Sequence, residues 1–542
     1  MPRDLKADQE MLRTVLALAE KRDIARAAAI AEQALASGFE HPLLLNVLAT
    51  RFEHEGKLED ALQLLERALR LAPEDIGVQN ALSLCLQRLD RPAESLHHVD
   101  RLLKAHPELG FAHANRGNAL IALGALGQAR QSHLRALELD PDNLAAQVAL
   151  ASIATHRGAH EEARGWARRV LARLPGFPDA VLSLAAAELA SGATDSAQML
   201  TCQLLADPRA GPAEKARANG LLGDVLDTGG RYAEAFGAYA ACNEALRQVH
   251  RGFAEGTGIL PYTESIIAAM QRLDPARWAS GPAPAADPVG ASAHVFLLGF
   301  PRSGTTLLEV ALDGHPRVAS LEEHELLKPG VLAYMREPLD FEPLLQADAG
   351  ALEEQRASYW RQVRAAGAEI EGKVFVDKHP LNTLKLPLIA RLFPRAKILF
   401  AYRDPRDVVQ SCFRRRFSMN PAMYQLLTLQ GAAAFYDATM RLAELARSLL
   451  GLDWQAVRYE SLVDDLELQL RAVCEFLDLE WVPELTDFAS RAQAREHATP
   501  STAQLARGLN RAGIGHWRNY QDALAPILTT LEPWVERLGY GA

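Results

Sequence analysis

Four prolines, Pro73, Pro107, Pro141 and Pro175, succeed one another at intervals of 34 residues. Pro42 and Pro208 extend the series with spacings of 31 and 33. Ahead of each proline runs an amphipathic stretch, such as Ala61-Leu-Gln-Leu-Leu-Glu-Arg-Ala-Leu69, with apolar residues at helical spacing. Proline has no amide hydrogen and ends such a helix. A period of this length means that one supersecondary unit repeats and buries its apolar face against the next copy. The composition agrees. Hydrophobic residues make up 49% of the 542-residue chain but aromatics only 6%, so alanine and leucine do the packing.

Small residues recur at fixed places in the period. Gly117, Ala129 and Ala136 precede Pro141, as Ala49, Ala61 and Ala68 precede Pro73. A larger side chain there would push two antiparallel helices apart. Period and small positions together resemble the tetratricopeptide repeat over about residues 8–250, or six to seven units with degenerate outer ones. The resemblance implies a helical solenoid whose groove takes a peptide or protein, or else a purely structural solenoid that caps or dimerises the C-terminal half. Residues 274–293, DPARWASGPAPAADPVGASA, hold four prolines and two glycines and read as a boundary. The expected organisation is a repeat array over 1–273, a linker over 274–292 and a second domain over 293–542. The fold class expected is α plus α/β, a helical solenoid and then a phosphate-loop domain with a parallel sheet.

Residues 294–306 read His-Val-Phe-Leu-Leu-Gly-Phe-Pro-Arg-Ser-Gly-Thr-Thr. An apolar strand at Val295–Leu298 runs into a Gly-x-x-x-x-Gly loop and then into a helical pattern at Leu307–Leu312. That order builds an anion cradle from backbone N–H groups at a helix start. After Gly304 comes Thr305, where an ATP-binding loop carries lysine, which speaks against a phosphate-loop kinase. Arg302 stands inside the loop instead and can fork onto an anion. The loop resembles that of sulfotransferases for 3′-phosphoadenosine 5′-phosphosulfate (PAPS). The resemblance implies that Arg302, Ser303, Gly304, Thr305 and Thr306 bind the donor. A second strand, Ile398–Tyr402, leads to Arg403 and to a helix with Asp404 as cap and Pro405 in its first turn. Arg403 and Ser411 resemble the same family's 3′-phosphate motif, and a cradle for that phosphate selects PAPS over its analogue lacking it. Between 391 and 416 stand eight basic and two acidic residues; Arg414, Arg415 and Arg416 read as a solvated basic face. Tyr459–Asp465, after a strand over Trp454–Arg458, reads as support.

Within the sulfotransferases the run Leu312-Asp-Gly-His-Pro-x-Val318 and then Glu322-Glu323 is most similar to the tyrosylprotein branch. The resemblance implies Glu323 as the general base, with Glu322 and His324 as rivals and His315 nearby. It implies Lys378, in Asp377-Lys-His-Pro-Leu381, as the group that stabilises the transferring sulfuryl, although Asp377 and His379 differ from that branch. Ser501, in Ser-Thr-Ala-Gln504, matches a serine near the bridging oxygen, and Arg507 falls where a lysine binds donor. His516 replaces a second lysine, and its role is left open. The expectation is direct in-line transfer to a tyrosine of a protein or peptide held by the repeat groove, without a metal. A small-molecule, lipid or glycan hydroxyl, or a non-catalytic nucleotide-binding scaffold, are the other readings. Net charge is −10, so a broad nucleic-acid surface is not expected. The five cysteines have no paired spacing, and no run of 18 apolar residues occurs. Cytoplasmic localisation is expected, and a homodimer is left open.

Overall fold

The computed structural model describes residues 5–256, 258–279, 290–494, 505, 508–509 and 511–541. The chain forms two compact units, Met1–Ala187 and Glu188–Ala542.

The first unit is built of antiparallel helix pairs. They run Leu5–Glu20 with Ile24–Ala36, Pro42–His54 with Leu58–Leu71, Ile76–Arg88 with Pro92–Ala105, Gly110–Ala122 with Leu126–Leu139, and Leu144–His156 with His160–Arg173. Each phased proline sits in the turn after the second helix of a pair. In three of the four the carbonyl is then capped by a side chain six residues on. Gln79 Nε2 donates to Pro73 O at 2.6 Å, His113 Nε2 to Pro107 O at 2.9 Å and Gln147 Nε2 to Pro141 O at 3.0 Å. The period therefore repeats a polar contact as well as a stop signal. Ala129 and Ala136 are fully buried, as their size suggests. Gly117 has a more particular neighbour: a Cβ there would come within 2.4 Å of the His133 ring. His133 is itself buried, and burial pushes its pKa down to about 4, so the ring is neutral and packs as an apolar plate.

The second unit opens with helices that the sequence places in the repeat array: Thr194–Ala206, then α1 (Pro212–Thr228) and α2 (Tyr232–Val249). One compact unit, from residue 188, holds these helices together with residues 293–541. The reason is packing. Phe236 of α2 stacks on Phe413 with ring centroids 5.3 Å apart, and Asn243 Nδ2 donates to the Phe413 carbonyl at 2.9 Å. Past the linker come β1 (Ala293–Gly299), α3 (Thr305–Leu312), β2 (Val318–Glu322), β3 (Val374–Lys378), β4 (Lys397–Tyr402), α4 (Pro405–Phe413) and β5 (Asp453–Arg458). All strands pair in parallel in the order β2-β3-β1-β4-β5. β1, β3 and β4 are buried on both faces and accordingly read as apolar runs. β2, an edge strand only five residues long, is not an element that the sequence pattern predicts. Its alternation is too short to register as a pattern, and its pairing with β3 is a long-range property. Trp278, from the linker region, is buried against Arg391, whose guanidinium lies 6.0 Å from the ring centre. Among the described residues no helix is long and apolar enough to cross a membrane.

Gly117→Val should destabilise the first unit by about 1–3 kcal/mol, because the buried His133 ring would have to shift to admit the side chain. Chemical denaturation of the full chain monitored by circular dichroism checks this; an unchanged midpoint of the first transition would show that the ring relaxes freely.

Candidate functional site

The strand order fixes where a site can form. The connection after β1 runs toward β2 and that after β4 runs toward β5, so a crevice opens between the C-terminal ends of β1 and β4. The loop 300–304 and Arg403 flank that crevice.

The loop is shaped by close contacts. A Cβ at Gly299 would lie 2.8 Å from the Ala401 carbonyl oxygen, and one at Gly304 would lie 2.5 Å from the Tyr459 ring. Gly304 also has φ of 99°, a conformation suited to glycine. Ser303, Thr305 and Thr306 are buried at the start of α3, whose first N–H groups have no partners inside the helix. Arg302 holds φ of 72°, unusual for a side-chain-bearing residue. Its carbonyl is clamped by Arg403 NH1 at 3.1 Å, and its Nε donates to Ser411 Oγ at 3.1 Å. Tyr459, under the Arg403 guanidinium at 4.8 Å, and Glu460, which accepts from the Asp404 amide at 3.1 Å, are the expected support. Asp404 caps α4 by accepting from the Arg406 amide at 2.9 Å.

Positive charge collects here. Burial, then the nearby Arg415 and Arg403, push the Arg302 pKa down to about 9. The three guanidiniums repel one another, and an anionic ligand relieves that repulsion. Arg403 Nε and Arg415 Nε are buried and have no hydrogen-bond partner among the described residues. The solvated basic face expected for 414–416 is not what forms. Arg414 donates to Asp227 Oδ2 at 2.8 Å and Arg416 to Asp224 Oδ2 at 3.0 Å, while Arg415 is set beside Arg302. No local pattern distinguishes Arg415 from its two neighbours; only the fold separates them.

The other end of the sheet edge carries carboxylates. Register pairs Glu322 of β2 with Lys378 of β3. Lys378 is fully buried, and its Nζ donates to Glu322 Oε1 and Glu323 Oε1, both at 2.9 Å, with Glu309 Oε2 of α3 at 3.7 Å. Burial alone would neutralise the amine; Glu309, Glu323 and Glu322 instead hold its pKa above the ordinary lysine value. Glu323 has the reverse balance, with burial raising its pKa and Lys378 bringing it below the ordinary value. Glu323 also sits at φ of 54°, held by its amide donating to the Lys378 carbonyl at 2.7 Å. Two non-glycine residues in left-handed conformation at one site store strain of about 1–3 kcal/mol each, sustained by these clamps. Glu309 carries no sequence signal of its own; it lies one helical turn beyond Thr305, the start of α3, and points toward the sheet.

Of the nearby histidines, His315 is structural: Nε2 meets the Glu480 carbonyl at 2.9 Å and Nδ1 accepts from the Arg317 amide at 3.1 Å. His324 is exposed, with Nδ1 at 3.0 Å from the Glu322 carbonyl. His379 pairs with Glu325 at 3.1 Å. Ser501 and Arg507 lie outside the described residues. His516 contacts Asp227 at 3.2 Å. Among the described residues no cluster of three or more histidine, cysteine or acidic side chains has metal-binding geometry.

Comparison with known proteins places two families along the chain. Residues 294–483 match the sulfotransferase family, and residues 12–76, 81–143 and 115–178 match the tetratricopeptide repeat. An uncharacterized protein of Aquifex aeolicus (strain VF5) is 26% identical over 74% of this chain and 52% of its own. Protein-tyrosine sulfotransferase A of Caenorhabditis elegans is 25% identical, over 46% of this chain and 67% of that one. Protein-tyrosine sulfotransferase 2 of Gallus gallus is 27% identical, over 45% and 69%. The chain spans about half the length of the Aquifex relative. It carries tetratricopeptide repeats and, C-terminal to them, a sulfotransferase-family domain.

Behind Lys378, Asp377 points to the opposite face of β3. Tyr359 OH donates to its Oδ2 at 2.8 Å and in turn accepts from His294 Nε2 at 2.8 Å. Burial pushes the Asp377 carboxyl up to about 6 and the His294 ring down to about 3. Because the folded chain keeps this proton to higher pH than the unfolded one, Asp377 costs stability increasingly as pH rises from about 4 to about 6. Asp377→Asn should therefore raise the melting temperature at pH 7.5, with the gain fading below about pH 4. Asn382, whose Oδ1 is buried without a hydrogen-bond partner among the described residues, can flip to meet the new amide. Differential scanning fluorimetry across pH reads this; a loss of stability at pH 7.5 would mean that the ionised carboxylate is the native form.

Proposed function

We propose that residues 188–542 transfer the sulfuryl group of PAPS to an acceptor hydroxyl, and that the acceptor is a tyrosine of a protein or peptide. The observation that carries this is the pairing of Lys378 with Glu323 at the mouth of a phosphate loop that has no lysine of its own. An ATP-using loop would place its cation within the loop; here the cation comes from β3 and arrives with a base beside it. The sulfotransferase-family match supports the reaction class, and the tyrosine acceptor rests on the names of the relatives.

PAPS, when bound, supplies an electrophilic sulfur and an anionic leaving group. The N–H groups at the start of α3, with Ser303, Thr305 and Thr306, suit the 5′-phosphosulfate. Arg403, Ser411 and Arg302, with Arg415 beside them, suit the 3′-phosphate, whose charge would satisfy the buried guanidinium nitrogens. Lys378 shifts its hydrogen bonds from Glu323 to the sulfuryl oxygens, while Glu322 and Glu309 keep it charged. Released from that contact, Glu323 becomes a stronger base and takes the phenolic proton. The acceptor oxygen–sulfur bond forms as the sulfur–phosphate oxygen bond breaks, and the leaving electron pair remains on the 5′-phosphate. A phenol, with pKa about 10, needs less help than an aliphatic alcohol. Ser501 and Arg507 complete the proposal as groups for the bridging oxygen and the nucleotide. The repeats serve to present the protein acceptor.

Full-length protein should bind 3′-phosphoadenosine 5′-phosphate at least about tenfold more tightly than ATP in calorimetric titration, since ATP lacks the 3′-phosphate that the guanidiniums suit; equal affinities would contradict the donor assignment. Glu323→Gln should keep nucleotide affinity within about threefold and lose about 10²–10⁴ in turnover, the span of general base catalysis. Since Glu323 must be ionised and Lys378 protonated, with pKa values lowered and raised respectively, kcat/KM should stay flat between about pH 6 and 8 and fall only as Arg302 loses its proton near pH 9. An acid limb near neutrality would point to a histidine base instead.

A further inference from the structure

Asp227 lies on α1, 187 positions before Arg414 in sequence, yet it gathers side chains from two segments of the donor side. Its Oδ2 accepts from Arg414 at 2.8 Å, its Oδ1 lies 3.2 Å from His516 Nε2, and the Tyr520 hydroxyl donates to it. Burial would raise its pKa, but His516, Arg414 and Tyr520 bring it down to about 2, so the carboxylate is charged at any working pH. One helical turn earlier, Asp224 accepts from Arg416 at 3.0 Å and from the Tyr239 hydroxyl at 2.9 Å. The contact between α1 and the arginine run is close: a Cβ on Gly220 would come within 2.4 Å of Arg416 NH1.

The segment that Asp227 holds reaches the donor cradle. Residues 511–520 are fixed from α4, where Asp407 accepts from the amides of Gly515 at 2.6 Å and Trp517 at 2.9 Å. At the other end of the segment the Gly513 carbonyl accepts from Arg403 NH2 at 2.5 Å, and Arg403 NH1 holds the Arg302 carbonyl. A Cβ at residue 513 would lie only 3.0 Å from Arg403 NH2, so the backbone itself caps the guanidinium. An unbroken set of contacts thus runs from α1 through His516 and Tyr520 to Arg403 and the phosphate loop.

We propose that Asp227, assisted by Asp224, is a positioning residue for the donor site: it sorts the arginine run, drawing Arg414 and Arg416 to α1 and leaving Arg415 for the donor, and it pins the 511–520 segment that caps Arg403. The helix pair α1–α2, repeat-like in sequence, is then part of the donor-binding machinery. The inference rests on the PAPS reading of the cradle.

Electrostatics and positioning predict opposite outcomes. Removing a negative charge near a cationic site should strengthen binding of an anion by Coulomb's law alone. If Asp227 acts by positioning, binding should weaken. Calorimetric titration of the full chain with 3′-phosphoadenosine 5′-phosphate should give Asp227→Asn a dissociation constant at least about tenfold above wild type, the cost of losing well-placed charge-assisted bonds. The same variant should show a raised KM for PAPS with kcat at saturating donor within about threefold. Asp437→Asn serves as the control; it loses bonds to Trp534 and Arg441 away from the cradle and should leave donor affinity unchanged at a similar melting temperature. Equal or tighter binding by Asp227→Asn overturns the positioning role while wild-type binding preserves the donor reading. An equal loss in Asp437→Asn overturns it as mere destabilisation. Failure of wild type to bind the nucleotide removes the donor reading and this proposal together.

Discussion

The buried ammonium of Lys378 is the constraint on which the site depends. Taking such a charge out of water costs several kcal/mol unless it is paired in good geometry. Register between β2 and β3 supplies Glu322, the loop helix α3 supplies Glu309, and the left-handed turn after β2 supplies Glu323. Those three carboxylates come from different elements, so the sheet must be assembled before the lysine can be buried. Fold and site are thereby coupled. Glu323 is the half-exposed member of the set, whereas Glu309 is buried, so Glu323 is the partner able to let go.

Across the crevice the polarity is reversed. Carboxylates surround one cation at the ends of β2 and β3; guanidiniums gather around the loop after β1 and the end of β4. A reaction that moves a group from an anionic donor to a hydroxyl that must lose a proton needs both signs of charge, a few ångströms apart and in fixed order. The topological reversal at β1 and β4 provides that order, because Arg302, Glu322, Lys378 and Arg403 stand at or just past the C-terminal ends of their strands. Beneath, the Asp377–Tyr359–His294 series braces β3 from its other face.

The features legible in the sequence are the local ones. The phosphate loop, the Asp404 cap, the apolar strands and the phased prolines each declare themselves within a short stretch of chain, and each takes its expected form. Motif spacing reflects loop geometry, and the structure sets Arg302 within the loop and brings Lys378 and Glu323 together. Residues whose meaning lies in distant partners are not legible in this way. Asp227 and Asp224 look like ordinary polar positions on a repeat helix until Arg414 and Arg416 are folded onto them. Glu309 looks like a helix surface residue until Lys378 arrives. The boundary expected at 273 reflects the repeat period, a local property, whereas the division at 187 reflects which core each helix joins. Net charge shows the same limit: −10 over the whole chain says nothing of guanidiniums concentrated at one crevice.

The proposed sulfuryl transfer runs through the Lys378 cluster. The most direct measurement incubates full-length protein with PAPS carrying radiolabelled sulfur and a tyrosine-containing acidic peptide, beside the Lys378→Met variant, and counts label in the peptide. Wild type should leave alkali-stable label on tyrosine, and the variant should give background label. Undiminished transfer by Lys378→Met, or no transfer by a wild-type protein that binds the nucleotide, would contradict the claim.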